Sequence, residues 1–97
     1  MDNNITIKEL QHYIKSQDFQ PELKTAYFQK LIEEVGELLE VLRKDKRLEQ
    51  EGTIKGTIEE ELYDVLYYIL GIANGYDIDV EQCFRLKEEI NKEKYNK

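Results

Sequence analysis

Two short runs of the sequence place carboxylates where a cation could use them. Residues 33–38 read Glu33-Glu34-Val35-Gly36-Glu37-Leu38, and residues 60–65 read Glu60-Glu61-Leu62-Tyr63-Asp64-Val65. Glu37 follows Glu34 by three positions, and Asp64 follows Glu61 by the same step, so on a helix each pair shares a face. Oxygen-only ligands of this kind suit magnesium, with manganese as the alternative, and do not suit zinc. Magnesium held by carboxylates keeps some of its waters and binds phosphate oxygens, so the chemistry on offer is phosphate chemistry. The plainer reading is that all four are solvated acids, which are common on helix surfaces.

The choice depends on the elements that carry the acids. Apolar residues recur at helical spacing with few breakers between them, and no stretch alternates as a strand would. Four helices are expected. The first opens on a capping box at Thr6-Ile7-Lys8-Glu9 and runs to about Gln17. The second begins with Pro21 in its first turn and continues to about Lys44. Residues 45–56, charged and holding two glycines, read as a loop. Thr57-Ile58-Glu59-Glu60 is a second capping box opening the third helix, which ends near Asn74-Gly75. Asp79 caps a last helix that runs close to the C-terminus.

On the second helix, Leu31, Val35, Leu38 and Leu42 form one apolar stripe. At about 100° per residue, Glu34 and Glu37 lie about 60° and 120° to one side of it. Glu61 and Asp64 have the same two offsets from a stripe of Ile58, Leu62, Val65 and Ile69 on the third helix. Antiparallel packing through these stripes brings both acid pairs to one side, and consecutive helices joined by a loop of this length are usually antiparallel. Two unit charges about 4 Å apart cost on the order of 4 kcal/mol at an effective dielectric of 20, so a converged cluster calls for cations. The third helix is apolar around most of its circumference, which a four-helix monomer of this size cannot bury. Tyr63, Leu66, Tyr67 and Leu70 cannot all face one monomer's core, and a homodimer or homotetramer is expected.

Ninety-seven residues read as a single domain spanning 1–97. Lys and Arg total 14 against 21 Asp and Glu, a formal net charge of -7. Such a chain repels nucleic-acid polymers, yet it can take a small phosphorylated ligand through metal ions. One cysteine, Cys83, points to a reducing compartment. There is neither a secretory leader pattern at the first residues nor an apolar run near the roughly 18 residues of a membrane span, so a cytoplasmic location is expected.

The run E-E-V-G-E-L, followed by E-E-L-Y-D-V-L-Y-Y, resembles the MazG-type all-α nucleoside triphosphate pyrophosphohydrolases. That family carries Glu-x-x-Glu, an interval, then Glu-x-x-Asp, which Glu34, Glu37, Glu61 and Asp64 match position by position. The family also tends to carry Lys and Asn on the last helix, then a basic residue and Tyr, and Lys87, Asn91, Lys94 and Tyr95 look like that element. The resemblance covers roughly residues 24–95 and implies a four-helix MazG-like bundle. The reaction it implies is attack of water on a ribo- or deoxyribonucleoside triphosphate, releasing a monophosphate and pyrophosphate. It further implies magnesium on the four carboxylates, Glu34 orienting or deprotonating the water, and Lys87, Asn91, Lys94 and Tyr95 on the substrate. Nucleotide-pool housecleaning is the role that goes with such an activity.

Two competitors remain. Phosphoribosyl-ATP pyrophosphohydrolases usually carry Ser-Tyr-Thr ahead of the first acids, and Tyr-His where this chain has Tyr67-Tyr68; both features are missing here. A non-catalytic module pairing through the third helix is the reading from another class. Tyr63, Tyr67 or Phe28 could stack on a base, although packing accounts for most of the tyrosines. His12 and Cys83 have no partners at ligand spacing or activating neighbours and read as ordinary surface or packing residues.

Overall fold

Three of the helices start where short polar side chains take up their first free amides. In the computed structural model, which describes residues 3–95, Thr6 and Glu9 form the expected capping box ahead of α1, Ile7–Gln17. Pro21–Leu23 makes a turn of 3-10 helix before α2 proper, Lys24–Lys44. Asp45 closes α2 in the left-handed conformation, with φ of 52°. The stretch expected to be loop holds a four-residue helix, α3, Leu48–Glu51, ended by Gly52 at φ of 74°. Its first amide is held from outside, because Leu48 N donates to Glu59 Oε1 at 3.0 Å. The expected four long helices are therefore joined by one short one that charge-rich sequence concealed.

At the head of α4, Ile58–Gly75, Thr57 is fully buried and its Oγ1 accepts the Glu60 amide at 3.3 Å. Glu60 does not return the bond to the cap residue itself; its Oε1 accepts from Gly56 N at 2.8 Å. Asp79 caps α5, Val80–Tyr95, with its Oδ1 accepting from Gln82 N at 3.2 Å.

Helices α2 and α4 form the longest interface of the protomer, with α1 packed on α4 and α5 on α1. The two long helices run antiparallel. Gly75, late in α4, faces Lys24 at the start of α2; Gly71 faces Tyr27; and Ile58 N, at the start of α4, donates to Lys46 O beyond the end of α2 at 2.9 Å. That last bond closes the connection and fixes the register of the acids.

The face of α2 turned inward differs from the expected one. Lys24, Tyr27, Leu31, Glu34, Leu38 and Val41 are the half-buried positions, spaced three and four apart as an interhelical seam requires. Val35 and Leu42, expected in the inner stripe, are exposed, and so are Leu62 and Ile69 on α4. Val35 and Leu42 join Phe28, Ile32 and Leu39 in a second apolar stripe on the outer side of α2. Leu70 is completely buried within the protomer, whereas Tyr63 is exposed. Among the described residues no helix is long and apolar enough to cross a membrane.

Candidate active site

The rotation of α2 puts Glu34 in the seam rather than beside it, opposite Glu61 of α4. One carboxylate oxygen from each of Glu34, Glu61 and Asp64 can be chosen so that all three lie within 4.8 Å of one another. Glu37 is exposed and stands outside that group, but its charge acts on all three members. Glu40, assigned to the solvated surface, is exposed and meets Lys44 Nζ at 3.6 Å. Glu33 likewise turns outward, 3.4 Å from Lys30 Nζ.

The electrostatics of the cluster follow from its burial. Glu61 is 7% exposed, and no donor among the described residues reaches Oε2 of Glu34 or Oε2 of Glu61. Desolvation pushes the Glu61 carboxyl up to about 7, and its hydrogen bond to Glu34 and the charges of Glu34, Glu37 and Asp64 act in the same direction. Desolvation also raises Glu34, opposed by its hydrogen bond with Glu61. Asp64 is raised first by desolvation and then by Glu60 and Glu37, with Lys55 of the preceding loop pulling the other way. Lys55 is a neighbour that no spacing in the sequence could have pointed to.

Buried, donor-free carboxylate oxygens are costly unless something positive meets them. An all-oxygen donor set suits a hard divalent cation, and the residues present fit magnesium or manganese.

Glu34 and Asp64 also line an open depression of about 380 Å³ whose remaining walls are Tyr63, Tyr67 and Tyr68 of α4. The Tyr63 and Tyr67 rings meet edge-on at 6.3 Å between centroids, and those of Tyr67 and Tyr68 at 5.2 Å. Phe28 is exposed and borders a separate concavity with Lys24, Thr25, Ile72 and Tyr76. Among the described residues, none from α5 lines the depression beside the acids. Lys87 and Lys94 are exposed, Asn91 Nδ2 donates to Glu88 Oε2 at 3.3 Å, and none of them lines the depression. Tyr95 is the last residue of α5, and its side chain lies outside what the structure describes.

Residues 22–95 match the model of the MazG nucleotide pyrophosphohydrolase domain. Two crystal structures of iMazG from Vibrio DAT 722 are similar to the whole fold. The C-terminally tagged form is 47% identical with a TM-score of 0.82, covering 91% of this chain and 99% of its own. The N-terminally tagged form is 46% identical with a TM-score of 0.83, covering 96% of this chain and 100% of its own. No functionally curated protein matches the chain.

Proposed function

This chain belongs to the MazG family and is a nucleoside triphosphate pyrophosphohydrolase, and we propose that it cleaves between the α and β phosphates in a magnesium-dependent reaction. The products are then a nucleoside monophosphate and pyrophosphate, from ribo- or deoxyribonucleotides. The observation that carries the proposal is the set of three clustered carboxylates with two buried oxygens that no donor among the described residues reaches.

Glu34, Glu37, Glu61 and Asp64 would hold magnesium, with manganese as the alternative. When bound, the ion supplies positive charge against the triphosphate oxygens as negative charge builds on them. To serve as a ligand Glu61 would have to ionise, giving up any proton its raised carboxyl holds. Glu34, which lines the depression, orients the attacking water and takes its proton. Lys87, Asn91, Lys94 and Tyr95 are assigned to the triphosphate on the family pattern. Lysines there would add positive charge toward the leaving pyrophosphate.

The outer stripe of α2, with Leu62 and Ile69 of α4, supports assembly as a homodimer or homotetramer, since a soluble monomer rarely leaves so much apolar surface in one place. We assign residues 1–97 to one domain working in the cytoplasm in nucleotide-pool housecleaning, without nucleic-acid polymers or membranes as partners.

Chromatography of the products tests the cleavage site: monophosphate with pyrophosphate is expected, and diphosphate with orthophosphate would overturn it. Sedimentation tests the assembly: Leu39→Glu should dissociate it, and a well-folded monomer from the unaltered chain would remove the claim.

A further inference from the structure

The tyrosine wall beside the acids is tied to a carboxylate that lies on neither of the two helices forming the seam. Asp18 follows the last turn of α1, where its amide donates to Ile14 O at 2.8 Å. Its side chain reaches across the end of the α2–α4 seam. Tyr27 of α2 donates its hydroxyl to Asp18 Oδ1 at 2.6 Å, and Tyr67 of α4 donates to Oδ2 at 3.0 Å. Gln20 Nε2 also approaches Oδ1, at 3.5 Å. The carboxylate is thus held by hydroxyls and an amide, and each of its oxygens fixes one ring.

The two rings meet through a third. Tyr27 packs edge-on against Tyr68 at 6.4 Å, Tyr68 packs edge-on against Tyr67 at 5.2 Å, and Tyr27 also lies against Gly71. Tyr67 and Tyr68 are wall residues of the depression that Glu34 and Asp64 line. At about 380 Å³ the depression falls within the roughly 300–1,000 Å³ range of small-molecule sites. Aromatic faces beside a phosphate-directed cluster suit one kind of group above others, a flat heteroaromatic ring attached to the phosphates.

We propose that Asp18 is a positioning residue, which through Tyr67 and Tyr27 sets the aromatic wall that receives the base of the nucleotide while its phosphates reach the carboxylates. The inference rests on the nucleotide-hydrolase reading above and adds a specificity element to it. Asp18 touches neither base nor phosphate. It fixes the angle of the Tyr67 ring, so its loss weakens hold on the base and leaves the chemistry at the acids in place.

The test compares the unaltered protein with Asp18→Asn, Tyr67→Phe and Tyr67→Ala. Three quantities are measured: KM and kcat for a nucleoside triphosphate, the Kd of its non-hydrolysable α,β-methylene analogue, and the inhibition constant of inorganic tripolyphosphate, which has no base. Tyr67→Phe keeps the ring and loses only the tether, so it guards against a folding defect in Asp18→Asn. Stacking on an aromatic side chain is worth roughly 1–3 kcal/mol, so Tyr67→Ala should raise the analogue's Kd about 10-fold. The two tether variants should raise KM and Kd by about 3-fold, less than complete loss of the stack, with kcat changed less and tripolyphosphate inhibition unchanged.

Unchanged Kd and KM in all three variants would overturn the proposal while leaving hydrolysis intact. An equal weakening of tripolyphosphate would also overturn it, because the loss would then lie at the phosphates. So would a KM change that merely follows dissociation of the assembly by sedimentation, since the wall would then belong to a subunit contact. An unaltered protein that binds the analogue but cleaves no nucleotide would end the hydrolase reading, and the wall would still be judged on Kd. One that binds no analogue would end both.

Discussion

Two sets of carboxylates meet the packed helices α2 and α4, and they are treated in opposite ways. At one end of the seam Asp18 has a hydroxyl on each oxygen, and those hydrogen bonds, that of Tyr27 foremost, hold its carboxyl below the usual range against the opposing effect of burial. Farther along, Glu34 and Glu61 each keep a buried oxygen that no donor among the described residues reaches, and burial holds both carboxyls above the usual range. A polar group that serves the fold is matched within the fold; a group that serves a ligand is left unmatched until the ligand arrives. The tyrosines keep the first arrangement intact over ordinary pH, because burial and the Asp18 charge push the hydroxyls of Tyr27 and Tyr67 up to about 12.

The strongest way to break this contrast is to neutralise one member of the unmatched set. Asp64→Asn, Glu61→Gln or Glu37→Gln should lower magnesium-dependent hydrolysis by on the order of 100-fold or more, the scale seen when one charge-stabilising group is removed from an active site. The metal-free protein should be as stable as before, or more so, because like-charge repulsion is relieved. Magnesium should raise the melting temperature of the unaltered chain by mass action, and this increment should shrink in each variant. Glu40→Gln is the control, since Glu40 pairs with Lys44 on the surface and should leave activity and the magnesium increment alone. Equal magnesium stabilisation in all the proteins, with activity retained by Glu37→Gln, would return the acids to ordinary surface charges.

The same contrast predicts opposite pH dependences in the metal-free protein. Glu61 rises from 4.5 to about 7 on folding, so the folded state binds the proton more tightly than the unfolded state. Its contribution is most favourable below about pH 4.5 and is lost as pH rises through about 7, by on the order of 1–3 kcal/mol. Asp18 is lowered from 3.8, so its contribution is present above that pH and is lost in stronger acid. Denaturant midpoints should therefore fall between pH 5 and pH 8 in the unaltered chain and stay flatter in Glu61→Gln. A parallel fall in both proteins would mean that Glu61 is not the group responsible.

Much of this arrangement was legible in the sequence, and what escaped has identifiable causes. The long helices could be placed because Thr6, Thr57 and Asp79 supply caps; α4 ends at Gly75 as expected, although the left-handed residue that follows is Asp77 rather than the glycine. Helix α3 could not, because its four residues depend on Glu59, eleven positions away, for an acceptor at Leu48. The inner face of α2 differs from the expected one because two apolar stripes lie side by side, and periodicity cannot separate them. The expected set takes Leu31 and Leu38 from the inner stripe and Val35 and Leu42 from the outer one, because Glu34, an acid at the centre of the seam, interrupts the inner stripe. Three of the four acids, Glu34, Glu61 and Asp64, still converge because both helices turn together about the same antiparallel register, while Glu37 stays outside on the exposed side. The Asp18 clamp carried no local signal at all, since its partners lie 9 and 49 residues along the chain. Pattern reading finds groups that recur along one element, whereas a contact made by folding alone needs the structure.

The smallest expected effect sharpens the comparison from the matched side. Tyr27→Phe removes one hydroxyl from Asp18 and leaves the ring against Gly71 and Tyr68 in place. Hydrogen bonds to a charged acceptor contribute about 1.5–3 kcal/mol, but Asp18 is only partly buried and water can take the vacated position, so a loss of about 1 kcal/mol is expected. The loss should appear at pH 7 and shrink in acid as the Asp18 carboxyl becomes protonated, because a neutral acceptor forms the weaker bond. Combined with Asp18→Asn, Tyr27→Phe should cost less than it does alone, since the charged partner has already gone. In Glu61→Gln, by contrast, its cost should be undiminished, because the two sets share no hydrogen bond. Coupling between Tyr27 and Glu61 as large as that between Tyr27 and Asp18 would show one continuous network along the seam, and the division between matched and unmatched carboxylates would be lost.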